Sequence, residues 1–395
     1  MRIFLIIVQF VFSISVFVIF WAMIGYSFSL KILSKIYKKR KLVKDYDHVP
    51  TVTVMVVAHN EEAVMEAKLK NITELDYPED KIEFLISSDN STDRTNEIVT
   101  EFIEKNGIKN MRLFCATKRM GKTNAQNEAQ KTVTTEFLVM TDANSMLEKS
   151  AVKELMAAFA TDDVAYVTGC LRYINADENS TAKAENTYWN GDLRNREIES
   201  RIQTITAGNG ALYACRNADY LVLKPIRGHD ANMPMYYSIA GKRALFNPDA
   251  VVYEKAGEED KDEYKRKVRM YRGITRSVLP DIRILNVFRC KWYSYFYFGH
   301  RSCRYQLWFQ HPLALISSAI LMIGTGWFNI VFMCIFACQM LFYLLALIQW
   351  AANTKNRYLK MIFYYCMTIV AQWNGVINIV TGKSKPFWEK AESTR

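Results

Sequence analysis

Hydrophobic and polar positions divide this chain into three regimes. Residues 3–30 are almost free of charge and rich in Ile, Val and Phe. That run exceeds the roughly 20 apolar residues that cross a bilayer, and it lacks the short core and small-residue cleavage site of a secretory signal. It predicts a retained transmembrane anchor at residues 1–32. Lys31, Lys35, Lys38, Lys39, Arg40, Lys41 and Lys44 come next, most of them in a basic juxtamembrane linker at 33–49. A basic flank stays on the cytoplasmic side, so the following domain is expected there too.

From residue 51 the pattern turns to short β-branched or apolar runs alternating with helical stretches. Strands are expected at 52–57, 82–86, 111–115 and 137–141, with helices after each, including 93–105 and 122–133. Such alternation predicts an α/β fold with a doubly wound, mostly parallel sheet. Ligands of these sheets bind beyond the carboxyl ends of the strands. Every polar cluster of this region falls at such an end: His59-Asn60-Glu61-Glu62, residues 87–95, residues 118–124, and Asp142-Ala143-Asn144. Further on come a helix at 150–160, a strand at 164–171, a long helix at 183–203 carrying Trp189, and a small-residue turn from Gly208 into a strand. A helix start at 228–235, short strands at 244–246 and 251–253, and a charged helix at 258–279 complete the domain. Spacing of three puts Arg266, Arg269 and Arg272 on one face of that last helix.

After Pro280 the pattern changes again. Residues 280–311 mix Trp, Tyr and Phe with Arg and Lys, as interfacial helices do. Residues 312–382 read as transmembrane segments, two at 312–350 around Gly324-Thr325-Gly326 and a third candidate at 358–381; a basic tail fills 383–395. Three crossings would put that tail outside, against the charge rule, while Lys355, Arg357 and Lys360 also favour the inside. A re-entrant segment would reconcile the two.

Charge sharpens this picture. Lys and Arg number 51 against 40 Asp and Glu, a formal charge of +11. Such a surplus can mean nucleic acid, an anionic membrane surface or anionic substrates, and because much of it flanks apolar stretches the membrane is the best supported. Of eight cysteines, none in a CxxC pair, Cys334, Cys338 and Cys366 lie in apolar stretches and the rest fit reduced thiols in a cytosolic domain. No GxGxxG follows the first strand, which argues against a dinucleotide dehydrogenase.

Several residues carry candidate chemistry. Asp142 and Asn144, two apart at a strand end, point to one side and offer hard oxygen ligands to Mg²⁺ or Mn²⁺. The same residue types also form ordinary turns. Lys122 opens a helix, where a cation opposes the dipole unless an anion sits beside it. Asp230 stands at a helix start, either as an N-cap or as a general base. Trp189 is either a core residue or a stacking surface for a sugar. His59 and His229 have no second metal ligand spaced with them.

Taken in order, these clusters resemble the catalytic domain of family 2 inverting glycosyltransferases of the GT-A fold. The resemblance covers residues 50–275 of an expected cytoplasmic domain at 50–279. It is strongest to membrane-embedded synthases of hyaluronan, nodulation chitooligosaccharide, poly-N-acetylglucosamine and cellulose. It implies a nucleotide loop with Ala58, His59 and Glu61, Asp89 at the uracil ring, and Lys122, Arg269 and Arg272 at the donor diphosphate. Asp142 and Asn144 take the DxD position and would hold Mg²⁺ or Mn²⁺. Gly208, Asn209, Gly210 and Ala211 would lie beneath the acceptor sugar, with Trp189 beside it, and Asp230 would be the catalytic base. Departures are Asn144 for Asp, His229 before Asp230, and Arg266 and Met270 in place of the Gln and Trp of QxxRW. The lost Trp removes an aromatic floor for a growing polymer. Trp388 and Arg395 resemble a C-terminal Trp/Arg element that closes over the site in some members.

The implied protein is a multi-pass plasma-membrane enzyme with a cytoplasmic catalytic domain. It would transfer from a UDP-sugar to a glycan or lipid acceptor and build an extracellular or capsular polysaccharide. The alternatives are single-sugar transfer to a lipid, or an inactive scaffold or transport subunit. Membrane lipid is an expected partner and nucleic acid is not; an export or oligomeric partner is left unspecified.

Overall fold

A computed structural model describes residues 1–37, 41–175, 180–255, 260–324 and 329–387. Eight strands form one sheet: β1 (Val52–Ala58), β2 (Ile82–Ser88), β3 (Met111–Cys115), β4 (Phe137–Asp142), β5 (Met146–Leu147), β6 (Val164–Tyr173), β7 (Leu212–Arg216) and β8 (Arg243–Glu254). Their order is β3-β2-β1-β4-β7-β6-β8-β5. β1 runs parallel between β2 and β4, and β3 runs parallel along β2. The register sets Ala58 beside Ser88 and Val57 beside Asp142. Three of the four polar clusters therefore start level along one edge of the sheet.

The parallel strands are near-continuous apolar runs because both of their faces are covered. The helices between the strands are α2 (Glu62–Thr73), α3 (Thr95–Asn106), α4 (Lys122–Gln130), α5 (Ala151–Ala157), α6 (Ser180–Ile202) and α7 (His229–Ile239), and α8 (Asp260–Met270) follows the last strand. Side chains alternate across β1. Val54 and Val56 face Met65 and Leu69 of α2 and Leu155 of α5. Met55 and Val57 lie in the opposite layer with Ala125 and Ala129 of α4 and Met233 and Tyr237 of α7.

Local departures from the sequence pattern have physical causes. β7 runs antiparallel to β4 and β6, and β5 antiparallel to β8, inside an otherwise parallel sheet. The strands expected at 244–246 and 251–253 are the single β8, whose register with β6 shifts between Phe246 and Val251. Pro248 has no N–H for the ladder, so a bulge there hides the continuity. The helix expected over 258–279 ends at Met270 and resumes only as Ile274–Ser277. A Tyr271-Arg272-Gly273 turn intervenes, so Arg272 leaves the face it would share with Arg266 and Arg269.

Among the described residues, three helices are long and apolar enough to cross a membrane: α1 (Arg2–Ile36), α9 (Leu307–Gly324) and α10 (Asn329–Ala352). α1 contains a π-helical turn at Trp21–Gly25. The interfacial helices expected at 280–311 are a series of short helical pieces, Ile282–Leu285, Val287–Cys290, Trp292–Phe296 and a π-helical turn at Tyr297–Ser302. The left-handed backbone of Lys291, with φ of 54°, breaks the run.

Helix α11 (Arg357–Val380) lies against α8. Tyr364 donates to Glu263 at 3.0 Å, Asn374 donates to the Tyr264 hydroxyl, and Gly375 packs on the Tyr271 backbone. A buried polar chain also ties α1 to the domain. The Tyr26 hydroxyl donates to Glu199 at 2.5 Å, His300 bridges Glu199 (2.6 Å) and Asp192 (2.7 Å), and Arg196 and Arg304 pair with Asp192.

Candidate active site

The first cluster is built around Asp89, at the end of β2. Its carboxylate is 3% exposed, and its two oxygens accept from the backbone N–H groups of Met120 (3.0 Å) and Gly121 (2.8 Å). Expected at a uracil ring, Asp89 is here the clasp of the loop that delivers Lys122. His59 Nδ1 sits 2.9 Å from the Asp89 carbonyl, and the Asp89 N–H donates to the Ala58 carbonyl. The Glu61 N–H donates to Thr95 at 2.7 Å, and its side chain is buried. Ala58, His59, Glu61 and Asp89 thus form one braced rim.

Donor and acceptor candidates meet at Gly210. Lys122 Nζ donates to Asp142 Oδ1 and, at 2.8 Å, to the Gly210 carbonyl. A Cβ placed on Gly210 would lie 3.1 Å from Lys122 Nζ and 3.8 Å from both Asp142 Oδ2 and Asp230 Oδ2. That cradle is lined by one ammonium and two carboxylates, and a side chain at residue 210 would crowd the Lys122 ammonium.

The turn that presents Asp142 and Asn144 is gripped from behind by α2. Lys68, fully buried, donates to Thr141 Oγ1 (3.1 Å) and to the Ser145 carbonyl. Asn71 exchanges two hydrogen bonds with the Leu147 backbone, each 2.8 Å. The Ser145 hydroxyl donates to Glu254 at the end of β8. Burial pushes the Lys68 ammonium down to about 7 against the pull of Asp142 and Glu254. Burial, then the Asp142 charge, pushes the Glu254 carboxyl up. Lys68 and Glu254 escaped the sequence reading, although Lys68 stands three after Met65 and four before Ile72, on the apolar stripe of α2.

Asp230 lies in the first turn of α7, whose N-cap is Gly228. The capping alternative therefore fails, and the Asp230 carboxylate is left turned toward Gly210. Its carbonyl accepts from the Gly208 N–H at 2.8 Å. Gly208 has to be glycine, since a Cβ there would come within 2.0 Å of the buried Tyr166 hydroxyl. Asn209 turns inward: its amide donates to Gly169 (2.6 Å) and its oxygen accepts from Ala211 (3.1 Å) and Leu212 (3.0 Å). It shapes the loop instead of facing an acceptor. His229 is also inward, with Gln126 Oε1, the Leu221 carbonyl and the Tyr220 hydroxyl all within 3.0 Å. Burial pushes its imidazole down to about 4, and both ring nitrogens are taken by these protein partners, so it is a core residue.

Of the arginines, Arg266 pairs with Glu263 at 2.7 Å and Arg269 is half-buried. Arg272 Nη1 donates to the carbonyls of Pro386 (2.9 Å) and Lys385 (3.3 Å), and the Ser384 hydroxyl donates back to the Arg272 carbonyl. Burial pulls the Arg272 guanidinium below its usual range, with Asp230 opposing. Pro386 O would lie 2.5 Å from a Cβ on Gly121, and the Arg119 guanidinium covers the Phe387 ring at 4.9 Å. The tail thus reaches the loop clasped by Asp89. Trp388, Arg395 and the side chain of Trp189 lie outside the described residues.

Known proteins match this arrangement. Residues 53–218 fit the family described as "Glycosyl transferase family 2", and residues 137–370, more than half of the chain, fit "Glycosyl transferase family group 2". The chain belongs to glycosyltransferase family 2. A probable glycosyltransferase, YdaM, of Bacillus subtilis (strain 168) is 38% identical over 129 residues, 32% of this chain and 31% of that protein. A beta-monoglucosyldiacylglycerol synthase of Nostoc sp. is 29% identical over 136 residues, 34% of this chain and 29% of that one. A poly-beta-1,6-N-acetyl-D-glucosamine synthase of Staphylococcus epidermidis is 29% identical over 134 residues, 34% and 31% of the two chains. The chain thus matches about a third of the length of these curated relatives. Among solved structures, the mannosyltransferase PcManGT of Pyrobaculum calidifontis, in complex with GDP-Man and Mn²⁺, superposes with a TM-score of 0.64 at 21% identity. The superposition covers 94% of this chain and 99% of that one, so the shared fold is GT-A.

Proposed function

We propose that this glycosyltransferase is membrane-embedded and transfers a sugar with inversion from a UDP-sugar to an acceptor hydroxyl on a glycan or lipid. The observation that carries the reading is the Gly210 cradle, where Lys122, Asp142 and Asp230 face one small space. Asp230 takes the proton of the acceptor hydroxyl as its oxygen bonds the anomeric carbon. The bond to the nucleoside diphosphate breaks on the opposite face, and that group leaves with the electron pair. Lys122 and Arg269 meet the charge gathering on the diphosphate, as preorganised cations do. The Ala58–Glu61 rim and the Asp89-clasped loop hold the nucleotide, and the 208–211 loop seats the acceptor.

Asp142 and Asn144 are the residues that would hold one Mg²⁺ or Mn²⁺, with Asp142 Oδ1 paired to Lys122 and its Oδ2 turned toward Gly210. Among the described residues no group of three or more His, Cys, Asp and Glu side chains could hold a metal. Two protein oxygens with the rest supplied by water and diphosphate is the way such ions bind nucleotide substrates. When bound, the ion would neutralise the leaving diphosphate.

With the catalytic domain inside, α1 enters, α9 leaves and α10 returns. α11 then stays on the inner face, and the tail at 384–387 reaches the donor loop without a third C-terminal crossing. Lys355, Arg357, Lys360 and the basic tail all fall inside, as the charge rule asks. Extracellular polysaccharide is the product class we favour. Single transfer to a lipid is the second reading, favoured by Met270, 58% exposed where an aromatic floor would stand.

The test is a panel of UDP-sugars on the purified chain in vesicles, with product size and released UDP measured with and without EDTA. A ladder supports polymerisation and one lipid-linked product supports single transfer. No UDP release with any sugar sinks the donor assignment.

A further inference from the structure

A second surface stands out beside the proposed spans. Ile282 (74% exposed), Leu285 (60%), Val287 (56%) and Phe288 (93%) project from two short turns within seven residues. Contiguous large apolar side chains held this far into solvent mark a contact surface. The turns are rigid rather than frayed. Asp281 accepts from the Arg283 N–H and Asn286 from the Arg289 N–H, while Ile284 and Cys290 point inward and are buried.

What covers this blade is indicated by its neighbours. Trp292, two residues past its end turn, donates to the Tyr37 hydroxyl at 3.1 Å and packs edge-on against that ring. Tyr37 continues α1, whose Phe28 (62%), Ile32 (48%) and Ile36 (70%) form an exposed apolar stripe at spacing four. That stripe therefore ends at the level of Trp292, next to the blade. Lys31, Lys35 and Lys291 are exposed around it, and the Asp281 carboxylate is already held by Arg283.

We propose that the Ile282–Leu285 and Val287–Cys290 turns form a wedge that enters the acyl layer of an anionic phospholipid leaflet and fixes the helix carrying Asp230. The partner is the bilayer itself, with the three lysines at its headgroups. The link to α7 is direct. Arg289 Nε donates to the Ile239 carbonyl at 2.9 Å, and Ile284, Cys290, Tyr293 and Tyr297 pack with Met235 and Ile239. α7 is thus bolted at one end to the wedge and presents Asp230 at the other. The inference rests on reading α1, α9 and α10 as spans and on Asp230 as the base.

The test places the full chain in nanodiscs of phosphatidylcholine and phosphatidylglycerol that carry a diazirine in the acyl chain, and maps photoadducts by peptide mass spectrometry. Adducts are expected on 282–288 as well as on α1 and α10. Labelled α1 and α10 with unlabelled 282–288 would overturn the wedge alone; no label on any of the three would overturn the spans and the wedge together. A paired Leu285→Asp, Phe288→Asp variant should stay in the membrane through its spans, and its turnover should fall several-fold at unchanged KM for the UDP-sugar. Phe288→Leu should keep both adducts and turnover. Full turnover in the charged variant would overturn the link to α7.

Discussion

At the scale of single residues, the site depends on one missing side chain and one displaced aspartate. Asp230→Asn should leave nucleotide affinity unchanged and lower transfer by about 10²–10⁴-fold, the usual range for a lost general base. Isothermal titration of UDP beside a rate assay checks both halves. Gly210→Ala puts a methyl group into the space between Lys122, Asp142 and Asp230. Its KM for the donor should rise roughly tenfold, about 1.4 kcal/mol, with the thermal midpoint unmoved. His229 makes the fold acid-sensitive. Its imidazole titrates near 4 when buried and near 6.5 when unfolded, so the unfolded chain binds more protons between those values. The His229 contribution is intact above pH 6.5 and fades as pH falls toward 4, by roughly 3 kcal/mol in all. Denaturation at pH 7.5 and pH 5 should show the loss, and His229→Gln should flatten it. From sequence alone Asp230 carried two meanings, cap or base. Only the backbone around Gly228 separates them, because capping is a matter of dihedral angles that residue type does not fix.

At the scale of elements, the tail is held by carbonyl contacts that no motif encodes. Arg272 was expected on a continuous helix, pointed at an anion; the helix stops at Met270 and its guanidinium takes Lys385 and Pro386 instead. Arg272→Gln should free residues 384–387, read as faster proteolysis of the tail, and should raise the KM for the donor several-fold. An unchanged proteolytic pattern would dismiss the contact as unimportant. The parallel core was legible in sequence because each strand there is an apolar run ending in a polar cluster. β5, two residues long, was not, and the bulged β8 was legible only as two pieces. A strand shorter than one alternation leaves no period, and Pro248 mimics a strand end. Lys68 was hidden for a related reason. Lysine in a helix usually signals solvent, and it is the hydrogen bonds to Thr141 and Ser145, with the nearby Asp142 and Glu254 charges, that make burial tolerable.

At the scale of the whole molecule, the catalytic domain and the apolar helices form one body. Charge counting alone left the C-terminal helices unresolved. Contacts such as Tyr364 with Glu263 set α11 beside the domain, and those contacts depend on folded positions far apart in sequence. The Tyr26–Glu199–His300–Asp192 chain has a practical corollary for protein production. A version cut free of its first 36 residues would take one of two partners, leaving His300, from a carboxylate that is 0% exposed, and the severed domain should be unstable, prone to clumping and a poor stand-in for the native enzyme. The milder change Tyr26→Phe keeps the ring and removes only the hydroxyl. It should lower stability by about 1–3 kcal/mol, the worth of one buried hydrogen bond to a carboxylate that keeps its His300 partner, measurable as an earlier melt in detergent.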